Sequence, residues 1–170
     1  MDYISSDTNV WLDFFAINQT ALPFRLPYTY IMFEEALRKE ILSPPDLLME
    51  LGKLGLKGVD ITTVEFYYAM DLSSRYVKLS GYDRIALAIA KQRNIPLLTG
   101  DMPLREAAKA EGVRVFGTIG LLDTLFYGGY ISISEYLSCL EDFLKHKERR
   151  LPAEELRRRI SNISNAKETE

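Results

Sequence analysis

The chain has 170 residues, 47% of them apolar, which suffices for one globular domain with a sizeable core. Its 21 basic and 24 acidic residues leave a formal charge of -3, which argues against a surface built throughout to grip phosphate backbones but allows a local basic patch. One cysteine, Cys139, excludes an intramolecular disulfide and a Cys-rich zinc site, and reads as a small apolar filler on a helix. The opening lacks a basic leader region, and no run approaches the roughly 20 apolar residues of a membrane span, so a cytoplasmic protein is expected.

Short apolar runs alternate with longer amphipathic stretches, the pattern of an α/β domain with a parallel sheet. Runs rich in β-branched or aromatic residues predict strands at 3–6, 28–32, 59–62, 95–99 and 113–116. Helices are expected over 9–16, over 34–42 until Pro44-Pro45 stops the chain, and over 46–54, 64–72 and 82–93. "DMPLREAAKAEGV" places Pro103 in a first turn and Gly112 at a C-cap, which bounds another helix.

From residue 119 the chain turns mostly helical, with helices predicted over 119–127, 134–147 and 153–163. Residues 145–159 carry seven Lys or Arg against three Glu, which reads first as a solvated helix face. The last residues, "NAKETE", are expected to fray. This divides the chain into a compact domain over 1–145 and a basic helical tail over 146–170.

In an open α/β sheet, the carboxyl ends of the strands and the N-termini of the following helices share one edge, where such folds place their sites. Asp7 follows the first predicted strand in "SSDTNV", Asp101 follows "IPLLTG", and Asp83 opens the helix "YDRIALAIAKQRN". Each of the three is also a good helix cap, so singly each has a purely structural explanation. A fourth acid comes from the helix after "YTYIM". Glu34 and Glu35 sit in its first turn, where the helix dipole favours acids, while Glu40 lies further along without that explanation. Carboxylates gathered on one edge repel one another unless a cation joins them, and an all-oxygen set suits Mg²⁺ or Mn²⁺. The single histidine, His146, stands apart in the basic tail, which argues against zinc.

These residues resemble the PIN-domain nucleases. "SSDTNVWLDF" is similar to that family's first strand and its acid, "YDRIALAIAKQRNIPLLTGD" to its most diagnostic segment, and "LREAAKAEGVRVFGTIGLLDTLFYGGYI" to the continuation in a branch with a helical C-terminus. The resemblance implies a Rossmann-like α/β fold, a short parallel β-sheet flanked by α-helices with a helical C-terminal extension. It further implies a metal-dependent endoribonuclease acting on single-stranded RNA, with Asp7, Glu40, Asp83 and Asp101 as catalytic metal ligands for Mg²⁺ or Mn²⁺. Thr8, Asn9 and Thr99 occupy the family's polar positions beside those ligands, where they hold carboxylates in place. A toxin role, with an antitoxin-like protein partner covering the acidic pocket, and a homodimer are further implications. The longer, aromatic-rich 44–80 segment departs from the compact toxins.

Arg84, Arg105 and Lys109 lie on the helices flanking the edge and offer charge to a nucleic acid, and Tyr82 stands where a base would stack. Two other functions share the expected sheet. A haloacid-dehalogenase-like phosphatase would use Asp7 as nucleophile, but it needs a second acid where this chain has Asn9. A non-catalytic interaction protein would keep the fold and bind a partner through its helical tail.

Overall fold

The structure, a computed structural model, describes residues 2–168, the side chains of 167 and 168 excepted. The chain runs through β1 (Asp2–Ser6), α1 (Thr8–Ala16), a 3-10 turn (Leu22–Arg25), β2 (Tyr28–Phe33), α2 (Glu34–Glu40), α3 (Leu47–Leu54) and β3 (Lys57–Val59). It continues through α4 (Thr63–Arg75), α5 (Gly81–Gln92), β4 (Leu97–Leu98), α6 (Met102–Ala110), β5 (Val115–Phe116) and α7 (Thr118–Tyr127). Then come α8 (Ile133–Lys145), a second 3-10 turn (Lys147–Arg149) and α9 (Ala153–Glu168). The α/β class and the helical C-terminal region are as the sequence predicts. No helix among the described residues is long and apolar enough to cross a membrane.

All strands pair in parallel, in the order β3-β2-β1-β4-β5. The chain builds outward from β1 to β3, then crosses to the other side of β1 to lay down β4 and β5. The order therefore reverses between β1 and β4, and the crevice at the carboxyl ends of those two strands is where folds of this kind take ligands.

Alternation along β1 assigns the two faces of the sheet. Ser5 Oγ donates to the Ala86 carbonyl of α5 at 2.9 Å, whereas Ser6 Oγ, on the other face, accepts from Trp11 Nε1 at 3.1 Å. The Ser6 face carries the larger core, with Trp11, Phe14, Tyr30, Leu122, Tyr136 and Phe143 buried together. On the Ser5 face, Leu97 of β4 packs with Leu72, Leu87 and Leu104 from the layer of α4, α5 and α6. Each such large aliphatic side chain contributes about 1.5–3 kcal/mol by leaving water. The 3-10 turn at Leu22–Arg25 lacks a periodicity signal and is fixed by packing. The Phe24 ring stacks 5.2 Å from Trp11, and the Tyr30 hydroxyl donates to the Pro23 carbonyl at 2.8 Å.

The third strand differs from expectation: it spans Lys57–Val59, not 59–62. Thr62 is β-branched but serves as a cap. Its hydroxyl accepts from the Glu65 amide at 3.2 Å, while Glu65 Oε2 accepts from the Thr62 amide at 2.7 Å. That reciprocal pair starts α4 and ends any strand before it. Gly58 gives no strand signal, and the Glu34 carboxylate lies over it where a Cβ would sit, 1.4 Å from Oε2.

The basic C-terminal segment is docked on the body of the protein. Leu156 is fully buried, and Arg159 makes a forked pair with Asp123, with Nε and Nη2 2.7–2.9 Å from its two oxygens. The predicted fraying of 165–170 falls partly outside the described residues; α9 itself continues to Glu168. Cys139 is buried in α8, as an apolar filler should be, and burial pushes its thiol up to about 11.

Candidate functional site

Asp7 leaves β1 at the point where the strand order reverses, its amide donating to the Leu98 carbonyl of β4 at 2.9 Å. Its extended backbone (φ -91°, ψ 153°) makes it the N-cap of α1. Oδ1 accepts from the Thr8 amide at 2.7 Å, and Oδ2 accepts from the Thr99 hydroxyl at 3.0 Å. The residue is only 9% exposed and Thr99 is wholly buried. Burial pushes the Asp7 carboxyl up to about 6; the Asp83 and Glu40 charges add to this, and the bonds from Thr99 and Thr8 oppose it. Asp7 is thus both a cap and one member of a carboxylate group.

Asp83 stands in the first turn of α5 and closes a capping box with Ser80, whose amide donates to Asp83 Oδ2 at 2.8 Å. Asp101 is the N-cap of α6, with Oδ2 accepting from the Leu104 amide at 3.0 Å, and its own amide donates to Thr99 Oγ1 at 3.1 Å. Glu40 ends α2 and returns to the same edge, where its Oε2 accepts from the Thr8 hydroxyl at 2.5 Å. Glu34 and Glu35 instead pair along their own helix with Arg38 and Lys39 at 2.7 and 2.5 Å. Glu40 is among the groups that raise the Asp7 carboxyl.

Asp7, Asp83 and Glu40 therefore share one electrostatic neighbourhood, and Asp101 is tied to it through Thr99. Among the described residues, no group of three or more His, Cys, Asp or Glu side chains is assembled as a cage for an ion. Asp83 and Asp101 each direct an oxygen at backbone amides of a helix N-terminus. Thr8 and Thr99 hold carboxylates as the sequence implies. Asn9 does not: its side chain is exposed, and its backbone carbonyl accepts from Arg149 Nη2 at 3.1 Å. The Tyr82 hydroxyl reaches Glu35 at 3.1 Å.

A buried acid on α1 lies outside the set expected from the sequence. Asp13 is 3% exposed; its Oδ2 accepts from the Thr118 hydroxyl at 2.6 Å and its Oδ1 from Arg149 Nε at 2.7 Å. Burial pushes its carboxyl up, against the pull of those two donors. A lone acid among Val10, Trp11 and Phe14 is the signal that marks it in the sequence. Two surface clefts of about 380 and 350 Å³ lie toward the amino ends of β4 and β5, around Pro96 and Arg114, away from the acidic edge.

A family model described as a PIN domain matches residues 6–165. The chain belongs to the PIN-domain family. The match takes in all four acids and reaches into α9. Neither the curated proteins nor the solved structures include a match to the chain. PIN domains are generally nucleases that use divalent metal ions. The donor chemistry of this PIN domain fits such an ion: the acids supply oxygen alone, and Asp7 is a buried carboxylate whose charge lacks a cationic partner among the described residues.

Proposed function

We propose that this PIN domain is a divalent-metal-dependent endoribonuclease that hydrolyses phosphodiester bonds of single-stranded RNA. The observation that carries this reading is the buried Asp7 carboxylate, raised to about 6 by burial and by Asp83 and Glu40, at the crevice where the strand order reverses. Asp7, Asp83, Glu40 and Asp101 would hold Mg²⁺ or Mn²⁺. When bound, such an ion supplies charge neutralisation at the phosphoryl oxygens and a more acidic water. Thr99 fixes the orientation of Asp7, Thr8 that of Glu40, and a carboxylate of the set accepts the proton of the attacking water. Aspartyl-phosphate chemistry at Asp7 would lack its acid two residues on, because position 9 is Asn.

The toxin role belongs to the same proposal, with an antitoxin-like partner that covers the acidic edge and silences it. Labelled single-stranded RNA, double-stranded RNA, single-stranded DNA and a phosphomonoester are compared in Mn²⁺ and in EDTA. The proposal expects metal-dependent cleavage of single-stranded RNA. Metal-independent cleavage, or turnover of the phosphomonoester alone, contradicts it.

A further inference from the structure

Three partly buried arginines elsewhere in the chain each rest on a carboxylate, Arg93 on Glu65, Arg149 on Asp13 and Arg159 on Asp123, and the exposed Arg75 rests on Glu111. Arg105 is different. It is half-buried, and its only bond among the described residues runs from Nη1 to the carbonyl of Thr99, at 2.9 Å. Thr99 is also the residue whose hydroxyl joins Asp7 to the Asp101 amide. A guanidinium has five N–H donors, so one carbonyl leaves most of them unused, and a neutral partner does little to offset the cost of partial burial.

The chain makes a specific space for this side chain. Arg105 stands four residues after Asp101, on the same face of α6, and its guanidinium lies against Gly117 at the end of β5. A Cβ on Gly117 would come 2.8 Å from Arg105 Nη1 and 3.2 Å from the Thr99 carbonyl. The Gly117 backbone, at φ -115°, is open to any residue, so what a side chain there would meet is the seated guanidinium and the Thr99 carbonyl.

We infer that Arg105 is the phosphate-binding residue of the site, placed by Thr99 and Gly117 to take a backbone phosphodiester of the RNA beside the acidic group. This rests on the ribonuclease reading and adds what that reading lacks, a fixed cation that draws a polyanion toward carboxylates. Guanidinium pairs with phosphate through two parallel bonds, and partial burial strengthens the pairing. The contact is to the backbone, so it positions any sequence equally.

The test uses the full chain and a fluorescent single-stranded RNA oligonucleotide, with binding followed by anisotropy in EDTA across a salt series. Arg105→Gln keeps a donor for the Thr99 carbonyl while removing the charge. It is expected to melt as the wild type does, bind roughly 10-fold more weakly near 0.1 M salt, and reduce the slope of log affinity against log salt by about 0.7. Gly117→Ala, which keeps the charge and occupies its seat, is expected to weaken binding in the same direction. Wild-type affinity and slope in Arg105→Gln, or in a folded Gly117→Ala, overturn the assignment while leaving the ribonuclease reading intact. A wild-type chain that neither binds nor cleaves the oligonucleotide overturns both.

Discussion

The Thr99 hydroxyl donates to Asp7 Oδ2 at 3.0 Å and accepts from the Asp101 amide at 3.1 Å, so one buried side chain joins the ends of β1 and β4. Thr99→Val is nearly isosteric and removes both bonds. It is expected to cost about 1–3 kcal/mol of stability and to lower kcat/KM for RNA by roughly 10–100-fold, with Thr99→Ser restoring most of each. Denaturant melts and cleavage kinetics on the three proteins check this. Wild-type activity in Thr99→Val removes Thr99 from the site.

Asp7 sets a pH dependence whose direction follows from its raised carboxyl. The folded value of about 6 exceeds the ordinary aspartate value of 3.8, so folding binds a proton in between. The associated stability is fully present below about pH 4 and is lost as the pH rises through 6, leaving the ionised form strained at neutral pH. Asp7→Asn removes that strain and should stabilise the metal-free protein by about 1–3 kcal/mol at pH 8, with the gain vanishing near pH 4. Melts at both pH values in EDTA measure it. Equal stability of the two proteins at pH 8 contradicts the strain.

The proposed fourth acid is Glu40, which accepts from Thr8 and raises the Asp7 carboxyl, whereas Glu34 and Glu35 pair with Arg38 and Lys39. Glu40→Gln should lower kcat for RNA by 10-fold or more, on the order expected for loss of a catalytic or metal-holding group. Glu34→Gln and Glu35→Gln break exposed pairs along α2, which count for little, and should stay within about threefold of wild type. The reverse ranking would move the fourth ligand to the first turn of α2.

Arg149 fastens the second 3-10 turn to α1 through Asp13 and the Asn9 carbonyl, across 136 residues of sequence in the first case. Arg149→Ala leaves a carboxylate that is 4% exposed without its cation, and should cost roughly 3 kcal/mol. Adding Asp13→Asn should recover part of that loss, since it removes the stranded charge. A double-mutant cycle by urea unfolding measures the coupling, and additive losses would show that the pair is not coupled.

The features legible in the sequence are those in which a local pattern and a tertiary role coincide. "SSDTNV", "YDRIALAIAKQRN" and "TGD" each combine a strand or helix boundary with an acid, so both boundary and acid could be placed before any geometry. The bounds of β3 were not legible: the strand runs over Lys57–Val59 through Gly58, a poor strand former, and the β-branched Thr62 caps α4. The docking of 145–159 was equally hidden, because Arg149 and Arg159 look like any solvated arginine until their distant partners Asp13 and Asp123 are in place. Asn9 has the right spacing but is exposed, and its bond to the rest of the chain runs through its backbone carbonyl to Arg149.

The most direct measurement follows cleavage of end-labelled single-stranded RNA by the wild type and by Asp7→Asn as Mn²⁺ is titrated from zero. Wild-type cleavage should rise with the ion and disappear in EDTA, and Asp7→Asn should fall by at least 100-fold at every concentration, in the range expected when a principal ligand is lost. Cleavage by a purified Asp7→Asn protein at the wild-type rate, or wild-type cleavage unaffected by EDTA, would contradict the assignment of the acidic edge as a metal-dependent nuclease site.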